Sequence, residues 1–146
     1  MTDLLSRTME ILLVEDDEGD VLITREAFDY YKIRNALHVV NDGDKALQFV
    51  QRKGVFSQAP RPDLVLLDLN LPGRNGLEVL AELKADPDLR IIPVVILTTS
   101  HADEDIVRSY SLHANAYVSK PVEADSFMSA IWQIDHFFGS TAALPR

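Results

Sequence analysis

Residues 63–72 read Asp63-Leu-Val-Leu-Leu-Asp68-Leu-Asn70-Leu-Pro72. Leu64 to Leu67 form an unbroken apolar run that an acid closes. A strand that is apolar at every position is buried on both faces, the habit of a parallel sheet covered by helices. Ile11–Val14 and Val94–Leu97 are runs of the same kind. Three such runs, with amphipathic stretches between them, predict an α/β fold.

The spacing predicts strands over Glu10–Val14, Leu37–Val40, Asp63–Leu67, Ile92–Leu97 and Ala116–Ser119. Helices are predicted over about Gly19–Tyr31, from Asp42-Gly43-Asp44 onward, and over about Gly76–Lys84, Ala102–Tyr110 and Ala124–Phe137. Val21, Leu22, Ile23, Ala27 and Phe28 read as one broad apolar face of the first helix. Ala46, Leu47 and Val50 mark the second, and Leu77, Leu80 and Leu83 the third. Phe127, Ile131, Ile134 and Phe138 mark the last, with Asp125 or Ser126 as its cap. Gly54–Pro62 holds two prolines and reads as a loop. The fold class is therefore a doubly wound, five-stranded parallel sheet flanked by five helices, with right-handed crossovers.

In such a sheet the carboxyl ends of the strands converge on one crevice. The residues that follow the strands are Glu15-Asp16-Asp17, Asp68, Thr98-Thr99-Ser100 and Ser119-Lys120-Pro121. Polar residues commonly follow strands because loops are solvated, so each position alone says little. Four ends delivering acids, hydroxyls and one lysine to a single edge say more. Clustering acids is unfavourable: two unit charges 4 Å apart repel by about 4 kcal/mol at an effective dielectric of 20. Glu15, Asp16 and Asp68 therefore call for a cation. The donors are all oxygen, which selects a hard ion, Mg²⁺ or in its place Mn²⁺. With a cation present, Asp68 can serve as a nucleophile toward phosphorus. Lys120 can meet a second phosphoryl oxygen and Thr98 a third.

Composition narrows the alternatives. The chain has 146 residues, enough for one domain with a hydrophobic core. Its 14 Lys and Arg against 23 Asp and Glu leave a net charge of −9, the wrong sign for gripping nucleic-acid phosphates. It has no cysteine, which excludes disulfides and thiolate catalysis and fits a cytoplasmic location. No apolar run approaches the ~18 residues of a membrane span. No glycine-rich phosphate loop is present, and Asp16–Asp20 lacks calcium-loop spacing. His38, His101, His113 and His136 show no ligand spacing. Asp17 reads as a helix-opening acid pointing away from the crevice.

The segments ILLVEDD (11–17), VLLDLNLP (65–72), PVVILT (93–98) and YVSKP (117–121) resemble the signatures of the response-regulator receiver family. The resemblance covers about residues 9–138, with 1–8 as an N-terminal extension and 139–146 as a tail. It implies a flavodoxin-like sheet of order 2-1-3-4-5 and a signalling switch rather than an enzyme acting on other molecules. It implies that Asp68 is the phosphoacceptor. Asp16 would be a direct metal ligand and Glu15 would act largely through water. The backbone carbonyl of Asn70 would be a further ligand. Thr98 would be the switch hydroxyl, Tyr117 the aromatic that follows it, and Lys120 the partner of Asp68 or its phosphate. The Lys120-Pro121 bond is often cis in this family.

The wording LLDLNLP, Asp86-Pro87-Asp88-Leu89 and Leu112-His113-Ala114-Asn115 resembles stand-alone regulators that partner bacterial phytochrome histidine kinases. No output domain is read beyond the last helix. Those relatives tend to form homodimers through helix four, strand five and helix five, where Phe137-Phe138 would either add an apolar contact or close the core. The resemblance implies no nucleic-acid or membrane partner. Two other classes stay open: a phosphorylation-independent adaptor on the same fold, and a hydrolase with an aspartyl nucleophile. The hydrolase would need an acid at position 70, where Asn70 stands.

Overall fold

The computed structural model describes residues 8–30, 32, 34–99, 102–120, 125 and 129. Five strands form one all-parallel sheet: β1 (Met9–Val14), β2 (Asn35–Val40), β3 (Leu64–Leu67), β4 (Val94–Thr98) and β5 (Ala116–Ser119). Four helices connect them: α1 (Glu18–Tyr30), α2 (Gly43–Gln51), α3 (Gly76–Ala85) and α4 (Asp103–Ser111). The strand order is β2-β1-β3-β4-β5. The predicted loop 54–62 contains a single 3-10 turn at Gly54–Phe56. The predicted fifth helix falls almost wholly outside the described residues; Asp125 and Ser129, which are described, are helical.

Successive side chains of a strand point to opposite faces, and the core divides accordingly. Leu12, Val14, Val65, Leu67, Val94 and Ile96 face Ala46, Leu47 and Phe49 of α2 and Val79, Leu80 and Leu83 of α3. Met9, Ile11, Leu13, Leu64, Leu66, Val95 and Leu97 face the other way, toward Ala27 and Phe28 of α1. Both sets are buried, which accounts for strands that are apolar throughout.

Helix α1 corrects the broad face expected from its sequence. Thr24, Ala27 and Phe28 are buried, at the i, i+3, i+4 spacing of a single stripe. Leu22 and Ile23 stand outside that stripe, 55% and 47% exposed. Asp63 also differs from expectation. It precedes β3 rather than joining it, and ties that strand to β1. Its N–H donates to the Glu10 carbonyl at 2.7 Å, and its Oδ2 accepts from the Glu10 N–H at 2.9 Å.

Helix α3 begins with a capping box. Asn75 Oδ1 accepts from the Glu78 N–H at 3.0 Å, and Glu78 Oε1 accepts from the Asn75 N–H at 3.2 Å. Asn75→Ala is expected to lower stability by about 1 kcal/mol, read as a shift in the urea midpoint with unchanged slope.

Candidate metal centre

The strand order reverses between β1 and β3, and there the crevice opens. The register aligns the two strand ends, with Val14 opposite Leu67, so Glu15 and Asp68 leave the sheet side by side. The Glu15 N–H donates to the Val40 carbonyl at 3.0 Å, and the Asp68 N–H to the Val14 carbonyl at 3.1 Å. Each acid is thus fixed by main chain before its side chain makes any contact. On β4 and β5, Thr98 pairs with Ser119, and the Lys120 N–H donates to the Thr98 carbonyl at 2.7 Å.

Glu15, Asp68, Thr98 and Lys120 are buried, whereas Asp16 is exposed. Glu15, Asp16 and Asp68 each offer a carboxylate oxygen within 4.8 Å of the others. Asp68 Oδ1 accepts from the Asn70 N–H at 3.0 Å. The Asn70 amide donates toward Thr98 Oγ1 and Thr99 Oγ1, both at 3.4 Å. Lys120 Nζ donates to Asp68 Oδ2 at 2.9 Å, to Asp20 Oδ2 at 2.9 Å and to Glu15 Oε1.

The charges do not balance. Three carboxylates, from Glu15, Asp20 and Asp68, share one ammonium, and Asp16 adds a fourth beside Glu15 and Asp68. Burial pushes the Glu15 carboxyl up to about 7, although Lys120 and the Asp17 N–H pull it down. Burial would likewise lower Lys120, but its bonds to Glu15, Asp20 and Asp68 outweigh that and hold it above the ordinary lysine range. Three convergent carboxylate oxygens, one of them on an acid reluctant to ionise, fit a hard divalent cation.

The structure brings together Glu15, Asp16, Asp68, Asn70, Thr98 and Lys120. Tyr117 is half-buried on β5 and packs against the core on the α2 and α3 side. Asp17 opens α1 as expected, its Oδ2 accepting from the Asp20 N–H at 2.9 Å. Ser100, His101, Pro121 and Phe137-Phe138 lie outside the described residues. Asp20 was not foreseen. An acid in the first turn of a helix is ordinary, and only the fold shows it reaching the lysine one hundred positions away.

The loop that follows Asp68 is held by a close approach. A Cβ at Gly76 would meet the Asp68 carbonyl oxygen and sit 2.6 Å from Leu69 Cα. The Gly76 N–H also donates to the Leu69 carbonyl at 3.0 Å. Gly76→Ala is expected to lower stability by about 2 kcal/mol and to weaken Mg²⁺ binding, because the backbone beside Asp68 must shift. Urea unfolding and Mg²⁺ titration of fluorescence check the two effects.

This sheet order, with an acid trio at its switch point and a lysine after the last strand, defines a class. The chain belongs to the response regulator receiver domain family, whose model matches residues 11–132. Within that family it is similar to response regulator Rcp1 of Synechocystis sp., 42% identical over 145 residues that span 99% of each chain. The crystal structure of Mn²⁺-bound Rcp1 superposes with a TM-score of 0.80 at 43% identity, covering 94% of this chain and 99% of that one. The phosphorylated cyanobacterial phytochrome response regulator RcpA superposes with a TM-score of 0.82 at 41% identity, covering 96% and 100%. The bacteriophytochrome response regulator RtBRR gives 0.79 at 45% identity, covering 88% and 78%. The protein is a response regulator, close to those of phytochrome systems.

Proposed function

We propose that the chain accepts a phosphoryl group on Asp68 from a phosphohistidine of a phytochrome-type histidine kinase and switches its partner binding as a result. The observation that carries this is the meeting of Asp68 with Lys120 at 2.9 Å inside the acid trio. Support for the phytochrome link comes from the likeness to RcpA and RtBRR.

Asp68 supplies the nucleophile. One of its carboxylate oxygens attacks phosphorus as the phosphorus–nitrogen bond to imidazole breaks, and the imidazole leaves with the electron pair and takes up a proton. A Mg²⁺ or Mn²⁺ ion held by Glu15, Asp16, Asp68 and the Asn70 carbonyl would neutralise charge on the transferred group. Lys120 meets one phosphoryl oxygen with its ammonium. Thr98, fully buried at the end of β4, offers its hydroxyl to another. Tyr117 then follows Thr98, and the α4–β5 surface repacks. The same residues catalyse hydrolysis of the acyl phosphate.

The switching unit spans residues 9–138, between an extension at 1–8 and a tail at 139–146, and works in the cytoplasm without nucleic acid. Among the described residues no helix is long and apolar enough to cross a membrane. A homodimer through α4, β5 and the chain beyond is part of the reading. On α4, Val107 and Tyr110 are 63% and 49% exposed.

Incubation with acetyl phosphate and Mg²⁺ tests the proposal. The expected result is a gain of one phosphoryl mass, lost when the cation is chelated. No mass gain, together with no response to fluoroberyllate, would favour a phosphorylation-independent adaptor.

A further inference from the structure

We propose that Asp20 is a positioning residue: it occupies one of the three ammonium hydrogens of Lys120 and so restrains that lysine from committing to the phosphoryl group. The inference rests on the acceptor reading above and concerns the strength of the phosphorylated state.

The argument starts from donor arithmetic. A lysine ammonium has three N–H donors and no acceptor. Lys120 Nζ has three carboxylate partners: Glu15, Asp20 and Asp68. Its donors are therefore all engaged, and a phosphoryl group on Asp68 must share the ammonium with Glu15 and Asp20. Glu15 is almost wholly buried beside the lysine, and Asp68 is the atom group that carries the phosphoryl. Asp20 is the partner that reaches in from elsewhere, on the first turn of α1, with its side chain 33% exposed.

Helix α1 holds Asp20 in place. Its N–H donates to Asp17 Oδ2 at 2.9 Å, and its carbonyl accepts from Thr24 Oγ1 at 2.9 Å. The backbone is thus pinned from both sides, and only the side chain turns toward the site. Asp20 Oδ2 and Asp68 Oδ2 each lie 2.9 Å from one nitrogen, so they are no more than twice that distance apart. A dianionic group placed on Asp68 meets Asp20 both as a rival for the lysine and as a like charge. The resting protein is stabilised by the same contact, which ties α1 to the end of β5.

Asp20→Ala removes the rival and leaves one donor of Lys120 ready for the incoming oxyanion. With Mg²⁺ saturating, fluoroberyllate is expected to bind Asp20→Ala about fivefold more tightly than the wild type, the net effect of one ordinary hydrogen bond at a part-exposed carboxylate. The ¹⁵N resonance of the Lys120 ammonium is expected to move in the unliganded variant. Asp20→Glu, which restores a carboxylate, is expected to return both readings toward wild type. Asp20→Asn keeps the shape and drops the charge. It is expected to tighten binding by less, and covers the case in which the alanine variant folds poorly. Binding of Asp20→Ala and Asp20→Asn that equals or falls below wild type overturns the proposal, as does an unmoved Lys120 resonance. A wild-type chain that binds no fluoroberyllate overturns the acceptor reading as well, and so separates the two failures.

Discussion

Asp68→Asn is expected to abolish phosphoryl uptake, with label from a phosphorylated histidine kinase or from acetyl phosphate staying at background. The carboxamide has no anionic oxygen to attack phosphorus, and no other described acid is placed to substitute. Asp16 is exposed, and Glu15 is the acid that burial holds reluctant to ionise. The fold survives, because Asn keeps the oxygen that accepts from the Asn70 N–H and the strand pairing is made by main chain. Lys120 retains Glu15 and Asp20. Loss of one of four clustered negative charges also relieves repulsion. The check is labelled phosphotransfer beside a melting curve. Label persisting on the variant would move the acceptor elsewhere.

The second large effect is on stability. Lys120→Met is expected to destabilise the metal-free protein by about 3 kcal/mol, the lower end of the cost of breaking a buried pair. The lower end applies because Glu15 sits near 7 already and can answer the lost ammonium by taking up a proton. Mg²⁺ is expected to recover much of the loss, since a divalent charge among the same oxygens does part of the lysine's work. Urea unfolding of the variant with and without Mg²⁺ measures both quantities. A variant as stable as wild type without the ion would mean that Lys120 is not the neutralising charge of the resting site.

Much of this was legible in the chain. Strands apolar at every residue, such as Leu64–Leu67, demanded cover on both faces, and the carboxyl-end rule then gathered Glu15, Asp16, Asp68, Thr98 and Lys120. Strand boundaries moved by a few residues: β2 starts at Asn35 and β4 ends on Thr98. Hydrophobicity marks what can be buried, while pairing decides where a ladder stops. Helix α1 was less legible. Val21, Leu22 and Ile23 are all apolar, and only the packing of Phe28 fixes which way the stripe turns. Asp20 was least legible. Its partner comes from the opposite end of the polymer, and no local spacing encodes that meeting.

The glycine seam between Asp68 and α3 limits where this scaffold tolerates length change. With Gly76 pressed on the main chain of residues 68 and 69, and Asn75 locked in its capping box, the segment 69–75 has no slack to absorb an inserted residue. The turn after α2 is roomier. Around Gly54–Phe56 the chain turns in solvent, and Val55 is 90% exposed. Yet Val55 and Phe56 line one cavity with Glu15 and Asp16, so a tag or grafted epitope there borders the acids of the metal centre.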